Sequence, residues 1–347
     1  MTKTYMAIQA VAPGRLEAVE LRLADPPAGH VRIRVEACGI CGSDALTVEG
    51  TFPGVTYPRV PGHEVIGTVD AIGTGVEQWH VGQRVGIGFL GGHCEICSRC
   101  RRGDFVNCER QPISGVHTDG GYAEVMIARA NALAAIPEEL SPIEAAPLLC
   151  AGLTTFNALR NMEARAGDLV AIQGVGGLGH LAIQYARHMG FRVVAIARGP
   201  EKRALAVRLG AHDYIDSTAQ DPATELRQWG GAQAILATAA NNKAMSALVD
   251  GLAPRGEMVV AGVGGDEPIS VHAGHLVLGQ RSIVGTLTGR SIDNEDTLAF
   301  SALQSIRAMV ETFPLARAPE AYQRMMENAA RFRIVLVTAS GDLAMRD

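Results

Sequence analysis

Asp168-Leu169-Val170-Ala171-Ile172-Gln173-Gly174-Val175-Gly176-Gly177-Leu178-Gly179-His180-Leu181-Ala182 is the stretch whose reading decides the fold. An apolar run meets a G-x-G-x-x-G turn and passes into a helix start. Gly174 permits the tight turn, Gly176 lets a pyrophosphate approach the backbone, and Gly179 lets the helix pack closely on the strand, with Gly177 and Leu178 between them. Free N–H groups and the positive dipole end at that helix start suit phosphates. Glycine-rich turns also arise for purely steric reasons, so the hexapeptide alone is weak. The strand before it, the helix after it and a second apolar strand about twenty residues on make it a dinucleotide-binding unit.

That second strand, Arg192-Val193-Val194-Ala195-Ile196-Ala197-Arg198, ends in Ala197 where an NAD-binding sheet places Asp or Glu against the ribose 2′-hydroxyl. With no carboxylate there, and with Arg198, Lys202 and Arg203 following, the 2′-phosphate of NADP(H) is favoured, NAD(H) remaining possible. The alternative is that these are ordinary solvated cations at a helix start.

Outward from this unit, apolar strands at Leu169–Gln173, Val193–Ile196, Ala234–Thr238, Met258–Val263 and Ser282–Leu287 alternate with helical segments such as Leu178–Met189. That alternation predicts a doubly wound parallel sheet, an α/β fold. Upstream, short β-rich runs such as His30–Val35 and Glu64–Val69, punctuated by Gly and Pro, predict a β-barrel-like domain. Beyond Gly289 a helix over Asn294–Glu311 is expected, then a strand over Arg333–Val337 that returns to the first domain. The expected division is 1–152, 153–289 and 290–347.

Of 347 residues, 47% are hydrophobic and 19% charged, the balance of a soluble globular protein with room for two cores. The 40 glycines exceed the usual share of about 7% and imply many tight turns. A net charge of −5 without any long basic run speaks against nucleic acid as a partner. No apolar stretch approaches the ~18 residues that a membrane span needs. The start of the chain lacks the pattern of a secretion signal, so a cytoplasmic compartment is expected. There the seven cysteines read as reduced thiols or metal ligands rather than disulfides.

Cys94-x2-Cys97-x2-Cys100-x7-Cys108 puts four thiols on one polar loop, the requirement of a closed tetrahedral zinc site. Four thiolates leave no open coordination position, so the role is structural. A second set is dispersed: Cys41 in Gly39-Ile-Cys-Gly-Ser-Asp44, His63-Glu64 in Pro61-Gly-His-Glu-Val-Ile-Gly67, and Cys150 in Leu149-Cys-Ala-Gly-Leu-Thr154. Each is ambiguous singly. Together with Gly120-Gly-Tyr-Ala-Glu124, the cysteine loop and the glycine turn, in this order over essentially the whole chain, they resemble the zinc-containing medium-chain alcohol dehydrogenases, of the cinnamyl and yeast type.

The resemblance implies a GroES-like β-barrel catalytic domain beside a Rossmann domain, and two Zn2+ per subunit. It makes Cys41, His63 and Cys150 ligands of a catalytic zinc with a fourth position for water or substrate oxygen. Glu64 would lie close behind, Asp44 would orient the His63 imidazole, Ser43 would accept the alcohol proton, and Thr154 would pack beside the nicotinamide. The implied activity is a zinc-dependent alcohol dehydrogenase or aldehyde reductase acting on primary or aryl alcohols and aldehydes. A homo-oligomer is implied, a tetramer rather than a dimer.

Three departures matter. Leu46 stands where many relatives have a histidine that finishes a proton relay, Gly42 where many have His or Arg, and Cys150 rather than Glu argues against the polyol dehydrogenase branch. Phe52 and Phe89 fall where relatives line the substrate pocket, although simple core packing is an equal reading. Cys38 reads as a buried small hydrophobe, and His93 and His180 as surface or packing residues. Two rivals remain: a non-zinc quinone or enoyl reductase of the same fold, which would not need these ligands, and a catalytically silent relative.

Overall fold

The computed structural model of the chain describes residues 3–264 and 267–340. Two compact units emerge, Met1–Leu153 with Gly289–Asp347, and Thr154–Thr288. In chain order the strands of the first are β1 (Thr4–Ala12), β2 (Arg15–Arg22), β3 (His30–Ile40), β4 (Val65–Ile72), β5 (Arg84–Ile87), β6 (Val125–Arg129) and β7 (Leu133–Ala135). The second unit contributes β8 (Leu169–Gln173), β9 (Arg192–Ala197), β10 (Asp213–Asp216), β11 (Ala232–Ala237), β12 (Leu252–Val260) and β13 (Ser282–Gly285). The chain then returns to the first unit for β14 (Val310–Pro314) and β15 (Arg333–Val337).

β3 organises the first unit. Val31, Ile33 and Val35 are fully buried, whereas Arg32 between them reaches out to Asp70 at 2.7 Å, as the two-residue period of a strand dictates. From Val35 onward every position is buried, where β4 and β15 flank β3, while β6 pairs with its first half, His30–Arg34. The seven-stranded sheet runs β14-β15-β3-β4-β5-β7, with β6 on β3, and β15 is an interior strand of it. Arg333–Val337 is a strand over the residues expected. The helix expected over Asn294–Glu311 is shorter, Ser291–Leu303. Gln304 ends it, Ser305 takes a left-handed φ of +54°, and Glu311 lies in β14.

In the second unit the order β10-β9-β8-β11-β12-β13 is parallel throughout. Its strands are buried on both faces and so read as continuous apolar runs: Val170, Ala171, Ile172, Val194, Ile235 and Met258 are fully buried. The strand order reverses between β8 and β11, which leaves a crevice at their C-terminal ends, the place where such sheets bind ligands. The glycine turn lies at the end of β8. Gly174 has φ +102°, and a Cβ on Gly179 would lie 1.9 Å from the Gly174 carbonyl oxygen, so strand and helix Gly179–His188 meet closer than any side chain allows. Space beside Gly176 is open. Among the described residues no helix is long and apolar enough to cross a membrane.

Candidate functional site

Cys41 follows the end of β3, and the chain turns at once into the 3-10 turn Gly42–Asp44. Asp44 closes that turn by accepting the Cys41 N–H on Oδ2 at 2.9 Å. The same oxygen accepts the Tyr122 hydroxyl at 2.8 Å, while Oδ1 lies 2.9 Å from His63 Nδ1. A carboxylate oxygen only accepts, so Nδ1 carries the proton and the lone pair of neutral His63 is on Nε2. That Nε2 is buried and has no protein partner, which is costly unless a ligand takes it. Half-buried Ser43 sits in the same turn.

The sulfurs of Cys41 and Cys150 are 3.8 Å apart, and one donor atom each from Cys41, His63, Glu64 and Cys150 lie within 4.8 Å of one another. Tetrahedral sulfurs about 2.3 Å from a zinc ion would be about 3.8 Å apart, whereas a disulfide needs about 2.05 Å. The donor set therefore fits a zinc ion. The hydrogen bond with Cys150 holds the Cys41 thiol well below its usual range, and Cys150 is pushed up by the same contact. Burial acts to lower the His63 pKa, but Asp44 and Cys41 together raise it well above an ordinary histidine.

Glu64 is fully buried behind the ligands and pairs with the equally buried Arg333 of β15. Burial pushes Glu64 up to about 8 even though the Arg333 guanidinium pulls it down. Glu64 Oε2 remains without a hydrogen-bond partner. Gly39 makes room for this carboxylate, since a Cβ there would lie 1.9 Å from Oε2. Neither Arg333 nor Tyr122 was singled out by sequence reasoning as part of the site. Tyr122 lay inside a quoted motif, but Arg333 is 269 positions from Glu64 and carries no local signal.

Of the two aromatics, Phe89 packs edge-on against His63, with ring centroids 5.2 Å apart. Phe52 packs instead on His117, at 5.7 Å. Leu46 is half-buried, and Thr154 is buried in helix Ala151–Asn161.

The four sulfurs of Cys94, Cys97, Cys100 and Cys108 also lie within 4.8 Å of one another, on their own loop. Backbone N–H groups point at them: Cys94 N–H donates to Cys108 Sγ at 3.3 Å and Cys100 N–H to Cys97 Sγ at 3.4 Å. The backbone N–H groups of Cys100 and Glu109 lower Cys97 to about 6, whereas burial raises Cys100 to about 12. Four thiols at this spacing form a closed site that fits a structural zinc.

At the end of β9, Arg198 is exposed and Lys202 half-buried, while the Arg203 guanidinium lies over the Tyr214 ring, 5.1 Å from its centroid. His180 is buried, its Nδ1 2.9 Å from the Gly176 carbonyl oxygen, which ties the glycine turn to the helix that follows.

Two family models match the chain: the alcohol dehydrogenase GroES-like domain over residues 27–138 and the zinc-binding dehydrogenase domain over 177–303. An alcohol dehydrogenase of Penicillium expansum is 43% identical over 92% of this chain and 93% of its own length. An alcohol dehydrogenase of Geobacillus stearothermophilus is 39% identical over 92% and 96%. The solved cinnamyl alcohol dehydrogenase of Sorghum bicolor superposes with a TM-score of 0.87 at 28% identity, over 96% of this chain and 98% of that one. The chain belongs to the zinc-type medium-chain alcohol dehydrogenase family, an alcohol dehydrogenase or aldehyde reductase with a GroES-like domain and a Rossmann-type parallel sheet.

Proposed function

We propose that this enzyme is zinc-dependent and moves a hydride between a primary or aryl alcohol, or the corresponding aldehyde, and NADP(H), with NAD(H) as the lesser partner. The observation that carries the reading is the buried convergence of Cys41, His63, Glu64 and Cys150 within 4.8 Å around a His63 Nε2 that no protein group satisfies. Two thiols and one imidazole leave a fourth position for substrate oxygen, with Glu64 behind them. When bound, zinc would supply the Lewis acidity that eases loss of the alcohol proton, and the nicotinamide would exchange the hydride.

The chain's own residues do the rest. Ser43, in the turn that carries Cys41, accepts the hydroxyl proton. Asp44 fixes the His63 tautomer, and Tyr122 and the Cys41 N–H hold Asp44 in turn. Phe89, edge-on to His63, supplies an apolar wall that suits an aryl or straight-chain substrate, with Phe52 a more distant contributor through His117. Leu46 offers no side-chain proton relay beyond Ser43. Thr154 packs beside the nicotinamide ring. Gly174 to Gly179 hold the pyrophosphate, and Arg198, exposed beyond Ala197, pairs with the 2′-phosphate. Lys202 adds positive charge nearby, while Arg203 acts through Tyr214.

Elemental analysis of the folded enzyme is the first test, with two zinc per subunit expected; a single zinc would remove either the catalytic or the structural assignment. Ser43→Ala should keep both ions and lose at least tenfold in kcat, the lower side of the ~10² to 10⁴ that a positioned proton acceptor contributes. A fully active variant would assign the proton to water alone. A kcat/KM for NADP above that for NAD is expected, and the reverse would leave the alcohol chemistry standing without the nucleotide assignment.

A further inference from the structure

Nothing in the glycine turn explains why the segment after β9 should present Arg198 in one fixed way; the answer lies on the neighbouring strand. Gly199 has φ +81°, a conformation open to glycine and strained for other residues. Both polar groups of this residue are held from β10. Its N–H donates to Asp216 Oδ1 at 2.8 Å, and its carbonyl oxygen accepts the Tyr214 hydroxyl at 2.6 Å. Tyr214 and Asp216 are two apart on the strand and so face the same way. Two residues earlier the grip continues, since the Ala197 carbonyl accepts the Ser217 N–H at 2.9 Å.

The clamp is itself braced. Asp216 Oδ1 also accepts the Thr218 N–H at 2.9 Å and the Thr218 hydroxyl at 2.7 Å, and Asp216 is 8% exposed. The Arg203 guanidinium covers the Tyr214 ring. Arg198 thus stands between two anchored residues, with its side chain exposed and, among the described residues, no ion pair of its own. A backbone fixed on both sides of a cation lowers the entropy lost when that cation meets an anion.

We propose that Tyr214 and Asp216 are positioning residues for nucleotide recognition: by clamping the Gly199 peptide they hold Arg198 ready for the 2′-phosphate of the adenosine ribose. The inference rests on the NADP(H) reading above. It accounts for a tyrosine hydroxyl and a buried carboxylate that both reach the Gly199 peptide, and it moves part of the specificity to a strand that need not touch the nucleotide.

The test is calorimetric binding of 2′,5′-ADP and 5′-AMP to the intact enzyme and to Tyr214→Phe, Asp216→Asn, Arg198→Ala and the double variant Tyr214→Phe with Arg198→Ala, each checked by thermal melting. Wild type should favour 2′,5′-ADP. Tyr214→Phe should cut that preference about tenfold, or about 1.4 kcal/mol, and Asp216→Asn should act in the same direction. The double variant should lose no more than Arg198→Ala alone, because the clamp acts through the arginine. If wild type has no preference, the NADP(H) reading falls and the clamp's role falls with it. If wild type has the preference and both β10 variants keep it, or if the losses simply add in the double variant, the clamp alone is overturned.

Discussion

Two clusters of cysteine donors in one chain are built by opposite means. Cys94, Cys97, Cys100 and Cys108 come from one short loop, and backbone N–H groups of that loop point at their sulfurs. Cys41, His63 and Cys150 come from the end of β3, the approach to β4 and the start of a helix, and are fully or largely buried. A zinc ion held by the four thiols would add its binding free energy to the folding of the loop. The dispersed set is held by the sheet, and its polar supports, Asp44, Tyr122, Glu64 and Arg333, are buried residues of the same unit. Closed sites stabilise a fold; supported sites are stabilised by it.

The largest expected break in this comparison comes from Cys100→Ala against Cys41→Ala. Structural zinc in small modules is worth about 10–16 kcal/mol of apparent binding free energy, so loss of Cys100 should leave protein that aggregates or melts far below wild type. Cys41→Ala should melt close to wild type and have no measurable turnover. Exchanged phenotypes in melting and kinetic assays would mean that the two sites have exchanged roles.

Next in size is Arg333→Met. Removing one partner of a buried pair costs about 3–5 kcal/mol because the other charge is left uncompensated. Urea unfolding should show a loss of that order, and Glu64→Gln added to Arg333→Met should restore part of it. A single variant as stable as wild type would show that the Glu64–Arg333 pair carries no net strain-bearing role.

Smaller again is Asp44→Ala. Removing such a carboxylate from behind a metal-bound histidine typically costs 10–100-fold in metal affinity, which competition with a chelator would read. Tyr122→Phe, which removes one of the two groups that hold Asp44, should fall short of that loss. Equal losses in the two variants would place Tyr122, rather than Asp44, at the root of the arrangement.

How much was legible depended on how local each signal is. The parallel sheet announces itself at Leu169–Gln173 and Val193–Ile196, because strands buried on both faces are near-continuous apolar runs. The four-cysteine loop is equally plain, since spacing alone brings the thiols together. Edges were harder: Ser305, left-handed without being glycine, gives no warning that the helix from Ser291 stops at Leu303. The hairpin of β1 and β2 and the short strands β5 and β7 depend on pairing partners elsewhere in the chain. At the dispersed cluster, no periodicity relates Cys41 to Cys150, and only the family resemblance joined them. Arg333 and the clamp of Tyr214 and Asp216 on Gly199 are invisible without coordinates, because each joins a strand to a residue outside it that only the folded chain brings close.

The place of β15 has a consequence for how the molecule is born. This interior strand of the first sheet carries the partner of Glu64, 269 residues downstream. At about 5–20 residues per second, a ribosome needs roughly 15 to 55 seconds to travel that distance. During that interval the parallel-sheet unit, contiguous in the chain, can close on itself as it emerges. The barrel unit waits with β3 unpaired on one side and a buried carboxylate without its cation. Nascent chains stalled before residue 333 should therefore protect the second unit from protease while the first remains open to cleavage, and the segments around Cys41 and His63 should gain full protection only after the tail is released.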